Sequence, residues 1–195
     1  MIIAHSGWSM SQKLQLSLET GLRPVELMNL KVKDIDISQR LVYPTTAKNG
    51  ASRTLKISNQ LATTLQEHII REKLNPNDKL FKGTPVRYGK EYRATRNCLA
   101  RKLKDPTIQT IRLYDFRHYF ATMLYHKTRD ILYVKQQMGH KRIDTTLIYT
   151  QLLNLNDDEW AVKTATNIKE ATELLEAGFE YIQEIDGIRL YRKRK

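Results

Sequence analysis

Cysteine is almost missing from this chain: Cys98 stands alone among 195 residues. A lone thiol rules out an intrachain disulfide, so packing must hold the fold, and a reducing compartment suits it. No apolar run approaches the length needed to span a bilayer. The opening MIIAHSGWSM is too short and too polar for the apolar core of a secretion signal. A soluble, cytoplasmic protein with no membrane partner is expected. The histidines, at 5, 68, 118, 126 and 140, show no ligand spacing, and no glycine-rich phosphate loop is present. Neither a metal nor a cofactor is expected. Internal repeats and low-complexity segments are also missing.

Acidic side chains are scarce. The 21 Asp and Glu face 33 Lys and Arg, a net charge of +12 with a pI near 9.7. Such a surplus attracts a polyanion, nucleic acid first. A basic but inert surface is the plain alternative, and composition alone favours nucleic acid only modestly.

Local pattern predicts an α+β chain that is mostly helical. A helix over 9–19 should stop at Gly21, a good left-handed cap. Pro24 suits the first turn of a helix through PVELMNLKV, placing Arg23 at its N-terminus. Residues 41–57 read as two strands around Asn49-Gly50, a strong hairpin signal, with Lys48 just before the turn. Ser58 caps a helix with apolar positions at Leu61, Leu65, Ile69 and Ile70. A basic helix follows over roughly 86–104. Asp115 is placed to cap the helix FRHYFATMLYH, with Arg117 in its first turn, and the helix DILYVKQQM should end at Gly139. After about residue 158 the character changes. EWAVKTA reads as a strand, Asn167 and Glu170 as a capping box for IKEATELLEA, and EYIQEIDGIRLYRK as a hairpin about Asp186-Gly187. The expectation is a domain over 1–157 and a β-α-β-β appendage over 158–195.

Five residues combine into a possible chemistry: Arg23 and Arg117 at helix starts, Lys48 at a hairpin tip, His140 after a helix end, and Tyr149 nine residues later. Each has an ordinary reading. Arg23 can pair with Glu26, Lys48 can be a solvated turn lysine, Arg117 can pair with Asp115 or Asp130, His140 can answer the helix dipole, and Tyr149 can pack beside Leu147 and Ile148. Taken singly, the ordinary reading is favoured for all but Arg23. Together they supply the parts for phosphoryl transfer without a metal: guanidinium forks for the non-bridging oxygens, an oxygen nucleophile, and an acid for the leaving oxygen.

TGLRPVEL, AKNGASR, LYDFRHYFATML and MGHKRIDTTLIYT resemble, in that order, the first arginine box, hairpin lysine segment, second arginine box and histidine–tyrosine box of the tyrosine recombinase (phage-integrase-like) family. The resemblance covers roughly residues 10–152, and the tail is similar to the ending of archaeal members. It implies that Arg23 and Arg117 clamp the scissile phosphate and that Lys48 protonates the departing 5′ oxygen. It further implies that His140 donates to a phosphate oxygen and that Tyr149 attacks phosphorus to become a 3′-phosphotyrosine. The implied function is site-specific recombination or integration of DNA from an archaeal virus or mobile element. The implied partners are double-stranded attachment sites in the host cytoplasm or nucleoid. The implied assembly is a homo-tetramer on DNA and a monomer or weak oligomer when free.

The chain departs from the family at two points. Tyr114 stands where the family usually has histidine, and tyrosine, with an ordinary pKa near 10, is a poor base at neutral pH. His118, beside Arg117, reads as support for the site rather than a member of it. The first arginine box arrives so early that the family's N-terminal helical DNA-clamping domain is expected to be absent. The alternatives are a type IB topoisomerase, which shares the chemistry but exchanges no strands, and a DNA-binding remnant without turnover.

Overall fold

A computed structural model describes residues 2–45, 53–151, 160–185 and 187–194. The chain forms two compact units, Met1–Leu152 and Leu153–Lys195. Among the described residues helices predominate, with two small antiparallel sheets.

Helix α1 (Trp8–Thr20) ends where the sequence requires it. Gly21 takes the left-handed conformation, φ 62°, and its N–H closes the last turn on Ser17. A Cβ there would collide with the Phe120 ring, so space as well as φ calls for glycine. Helix α2 is shorter than expected, Pro24–Asn29. The segment after it is drawn into pairing with a distant loop instead. Leu30 accepts from Leu80 N–H at 2.8 Å, and Val32 and Lys33 donate to Asp78 and Pro76. Tertiary partners for the backbone outweigh helix propensity here.

Strands β1 (Ile35–Asp36), β2 (Leu41–Val42) and β3 (Leu55–Lys56) form a sheet in that order, with Val42 opposite both Ile35 and Leu55. The two strands expected over 41–57 are therefore two residues long each, and a third strand joins them. The hairpin tip, with Lys48, lies outside the described residues.

Helix α3 (Asn59–Arg71) is capped by Ser58, whose hydroxyl accepts from Leu61 N–H. It buries Leu61 and Leu65, but Ile70 faces solvent. Helix α4 (Pro85–Leu103) buries Tyr88, Tyr92, Leu99 and Ala100 and leaves Arg87, Lys90, Arg93, Arg101 and Lys102 exposed. Helix α5 (Asp115–Thr128) starts at Asp115 but is not capped by it. Tyr114 holds the cap position without a side-chain bond, and the Asp115 carboxylate turns back to Arg112 N–H at 2.7 Å. Asp130 caps α6 (Ile131–Met138), which ends at left-handed Gly139. Helix α7 (Asp144–Gln151) follows. Its three threonines are weak helix formers, so local pattern predicts no helix there.

Helix α5 packs on α1, α6 and α7. One core holds Leu14, Leu16, Leu27, Val42, Leu55, Leu65, Tyr92 and Phe116 among others. A smaller cluster gathers Ala121, Val134, Met138 and Tyr149.

The second unit has the β-α-β-β order read from the sequence: β4 (Trp160–Ala165), α8 (Ile168–Glu176), β5 (Glu180–Ile185) and β6 (Ile188–Arg194). The sheet runs β4-β6-β5, all antiparallel. Asn167 caps α8 by accepting from Glu170 N–H. The Glu170 carboxylate reaches back to Thr166 N–H, one residue before the expected box partner. Ala165, Ala171, Phe179 and Tyr191 form its core.

Candidate active site

The left-handed turn at Gly21 sends the chain straight into Arg23, which sits at the cap of α2 because Pro24 can open a helix but cannot continue one. Gly21 also turns its carbonyl onto Arg117 of α5. One glycine thus ties the two arginine boxes, 96 positions apart, to each other.

Arg23 is part of a carboxylate-centred group. Glu26 receives Arg23 N–H and Nη1, both at 2.9 Å, and Arg53 Nη2 at 2.7 Å. The Arg53 and Glu26 side chains are both 1% exposed. Burial alone would raise the Glu26 pKa, but the hydrogen bond and charge of Arg53, with help from Arg23, hold it below the usual carboxylate range. Arg53 also lies against Gly139, where a Cβ would strike its guanidinium. The sequence reading passed over Arg53. Its signal was the arginine that closes AKNGASR, two residues before the buried Leu55.

Arg117 is 1% exposed. The ordinary pairing with Asp115 or Asp130 is not what holds it. Its Nη1 donates to Gly21 carbonyl, and its Nη2 donates to Met138 carbonyl at 2.6 Å and lies 3.0 Å from His140 Nε2. Burial, then the charge of Arg23, pulls its pKa down to about 10, which leaves it cationic at neutral pH. His140 passes the contact on, with Nδ1 3.0 Å from the hydroxyl of Thr146 on α7. Because Arg117 can only donate, Nε2 must accept, and the Nδ1 proton goes to Thr146. Burial and the cations Arg117, Arg23 and Arg53 push the His140 pKa down to about 4, so the ring is neutral at pH 7.

Tyr149 belongs to the small core at 2% exposure, yet it lines a cleft of about 710 Å³. Arg23, Tyr114, His118, His140, Lys141 and Arg142 line the same cleft. Arg117 stands behind it, next to His140. Four of the six residues singled out from sequence, Arg23, Tyr114, His140 and Tyr149, therefore share one cleft, Arg117 backs it, and Lys48 lies outside the described residues. Tyr114 is 42% exposed and makes an edge-to-face contact with His118, ring centres 5.1 Å apart. His118, read as support for the site, lines the cleft, with its Nδ1 3.1 Å from the Tyr149 hydroxyl. Burial raises the Tyr149 pKa despite the opposing charges of Arg117 and Arg23.

The phage integrase family model matches residues 5–155. The chain belongs to the phage integrase family. Among its relatives, tyrosine recombinase XerA of Saccharolobus solfataricus is 32% identical over 140 residues, 72% of this chain and 45% of that protein. XerA of Pyrococcus furiosus is 30% identical over 157 residues, 79% of this chain and 50% of that protein. The chain spans about half the length of the curated relatives it matches. Among solved structures, a XerA recombinase crystal structure superposes with TM-score 0.64 at 25% identity, covering 80% of this chain and 56% of the other. A XerH recombinase bound to palindromic difH substrate, at 22% identity, matches the fold with TM-score 0.63 over 90% of this chain and 50% of the other. The mostly helical α+β architecture is thus that of integrase-family catalytic domains. No helix among the described residues is long and apolar enough to cross a membrane.

Proposed function

We propose that this phage integrase family chain is the catalytic domain of a site-specific DNA recombinase, cutting and rejoining strands through a 3′-phosphotyrosyl link on Tyr149. The observation that carries the reading is the cleft itself. Tyr149 lines the same space as Arg23, His140, Lys141 and Arg142, and Arg117 contacts His140. A phosphodiester is the reactant that needs a nucleophile ringed by fixed cations.

In the proposed step the Tyr149 oxygen attacks phosphorus and the bond to the 5′ oxygen breaks. Arg23 holds a non-bridging oxygen. Arg117 supplies charge from beneath and His140 bridges it to α7. An anion in the cleft favours the protonated imidazole, so phosphate binding frees a His140 N–H to donate as Arg117 turns from the ring. Lys48 gives the departing oxygen its proton. The exposed cations of α4 and the pair Lys141 and Arg142 grip the backbone of double-stranded attachment sites. The strands are exchanged in a homo-tetramer on DNA, in the cytoplasm or nucleoid, and the free chain is a monomer or weak oligomer. Tyr114 braces the site and does not act as its base. The proposed catalytic region is residues 1–157, with 158–195 as an accessory unit for assembly or DNA grip.

The test is a pool of nicked duplexes of randomised sequence, incubated with the protein in EDTA and separated under denaturing conditions. A slow-migrating, protease-sensitive adduct is expected from the natural chain and none from Tyr149→Phe, which still retards DNA in a native gel. An adduct that requires Mg²⁺, or that survives Tyr149→Phe, overturns the mechanism. Binding without any adduct supports the DNA-binding remnant instead. Adduct formation with plasmid relaxation but no strand exchange supports the topoisomerase.

A further inference from the structure

We propose that His118 is a catalytic residue, the base that takes the phenolic proton of Tyr149 as the tyrosine attacks phosphorus. The inference rests on Tyr149 being the nucleophile and adds the acceptor that a neutral phenol needs.

The geometry carries it. His118 Nδ1 lies 3.1 Å from the Tyr149 oxygen, within reach for direct transfer, and the rings are 5.8 Å apart at a tilt of 50°. With its own proton on Nε2, the imidazole presents a lone pair from Nδ1 and the phenol O–H donates to it. His118 lies one residue past buried Arg117 on α5, and Tyr114, one turn earlier, presses an edge-to-face contact on its ring. The ring is thus held between two tyrosines, one of which lines the cleft as the reacting group and the other as a brace.

The competing acceptor is occupied. In the free protein His140 receives Arg117 on Nε2 and gives its Nδ1 proton to Thr146, and with phosphate bound its protonated ring has no lone pair to offer. The groups facing His118 are Tyr114, Tyr149, Asp115, Arg112 and Arg117. Burial, together with Arg112 and Arg117, lowers its pKa, while Asp115 opposes them. His118 is therefore neutral at pH 7, the form that accepts a proton. Tyr149, whose pKa burial raises, is a neutral phenol that has a proton to give.

The step balances. The Tyr149 O–H bond breaks toward His118 Nδ1 and leaves an imidazolium. The phenolic oxygen forms its bond to phosphorus, the bond from phosphorus to the 5′ oxygen breaks, and that oxygen takes a proton from the general acid. On rejoining, the 5′ hydroxyl attacks, the phosphotyrosine bond breaks, and the imidazolium returns its proton to Tyr149. The imidazolium forms beside two arginines, so it does not persist once the tyrosine oxygen is released.

The experiment is single-turnover adduct formation across pH, on the nicked duplex selected from the randomised pool by the natural chain. His118→Ala and His118→Asn are expected to slow adduct formation roughly a hundred- to ten-thousand-fold at pH 7 with DNA binding unchanged. The residual rate should climb with pH as hydroxide takes over the role. Asn keeps a hydrogen-bonding atom where Nδ1 stood but has no basic nitrogen, so a positioning role predicts near-natural rates for it and a base role predicts the same loss as Ala. Added imidazole is expected to restore part of the rate in His118→Ala. A fluorinated tyrosine at 149, whose hydroxyl gives up its proton more readily, is expected to narrow the gap between the His118→Ala rate and that of the natural chain carrying the same fluorotyrosine. His118→Asn carries the comparison if His118→Ala does not fold. A natural rate and pH profile in His118→Asn, or a loss that neither imidazole nor fluorotyrosine relieves, overturns the proposal. No adduct from the natural chain instead sinks the Tyr149 mechanism, a separate failure.

Discussion

The two arginines of this site are fixed by different means, and the difference marks which groups are anchored and which are free to react. Arg23 projects from α2, a helix whose Leu27 and Met28 lie in the large core, and is held by a Glu26 carboxylate locked to buried Arg53. Arg117 lies on α5, whose Phe116 joins the large core, while α5, α6 and α7 share a smaller cluster of Ala121, Val134, Met138 and Tyr149 with Phe120, Leu124 and Tyr125 packed on it. Tyr149 thus serves twice, as a member of the smallest core near the site and as the proposed nucleophile. A helix held by so few apolar contacts can shift at low cost, whereas the Arg53–Glu26–Arg23 group cannot.

Removing Glu26 should therefore be the most damaging change to the fold. Glu26→Ala strands the Arg53 guanidinium, 1% exposed, without its carboxylate. Losing one partner of a buried pair costs about 3–5 kcal/mol. Chemical denaturation measures it. A cost under about 1 kcal/mol would show that the pair does not anchor α2. Met138→Ala is the matched insult on the other side, at about 2 kcal/mol, the low end for a buried large-to-small change because the small cluster can collapse around it.

Next is Arg23→Lys, which should slow cleavage about a hundredfold, the scale of losing one aligned donor at a developing charge. Lysine supplies charge but not the fork that spans Glu26 and phosphate together. Stability should move by less than about 1 kcal/mol, since the Arg23 side chain is 29% exposed and its pairing is partly screened. Full activity in this variant would leave Arg117 to hold the phosphate alone.

Most of this arrangement was legible in local chemistry. Gly21, Gly139, Pro24, Ser58, Asp130 and Asn167 each act within one turn of themselves, so they announced where elements begin and end. What stayed hidden depends on distant partners. Segment 30–33 left its helix for a loop near residue 78, and α7 formed from weak helix formers because α5 and α6 offered it a face. The residue-by-residue reading of Arg117 missed its partners because they are carbonyls of Gly21 and Met138, which no side-chain pattern reveals. The contact of His118 stayed hidden because its partner lies 31 residues on, on a helix that local pattern did not predict.

Tyr149→Phe separates packing from chemistry on the weaker side. The ring stays in its cluster and only the hydroxyl, with its 3.1 Å contact to His118, is lost. A stability cost of about 0.5–1.5 kcal/mol is expected, beside complete loss of adduct. A cost of several kcal/mol would show that the hydroxyl is part of the scaffold.

A further effect should come from acid. In the unfolded chain His140 takes up its proton near its ordinary value of 6.5, but in the folded chain only near pH 4, because burial and then Arg117, Arg23 and Arg53 oppose the charge. Between those values the unfolded state binds more protons, so stability is full above about pH 6.5 and falls as pH drops toward about 4. The Glu26 pKa is lowered, so its loss comes below the ordinary carboxylate value of 4.5 and does not overlap most of that window. His118, also lowered, contributes within it. Melting curves should drop by about a few degrees between pH 7 and 5. His140→Asn, which keeps a donor for Thr146 and cannot ionise, should remove part of that slope and leave the part belonging to His118. If the slope is untouched, His140 is as accessible to protons folded as unfolded, and the cations around it are not as close-set as the Arg117 contact at 3.0 Å requires.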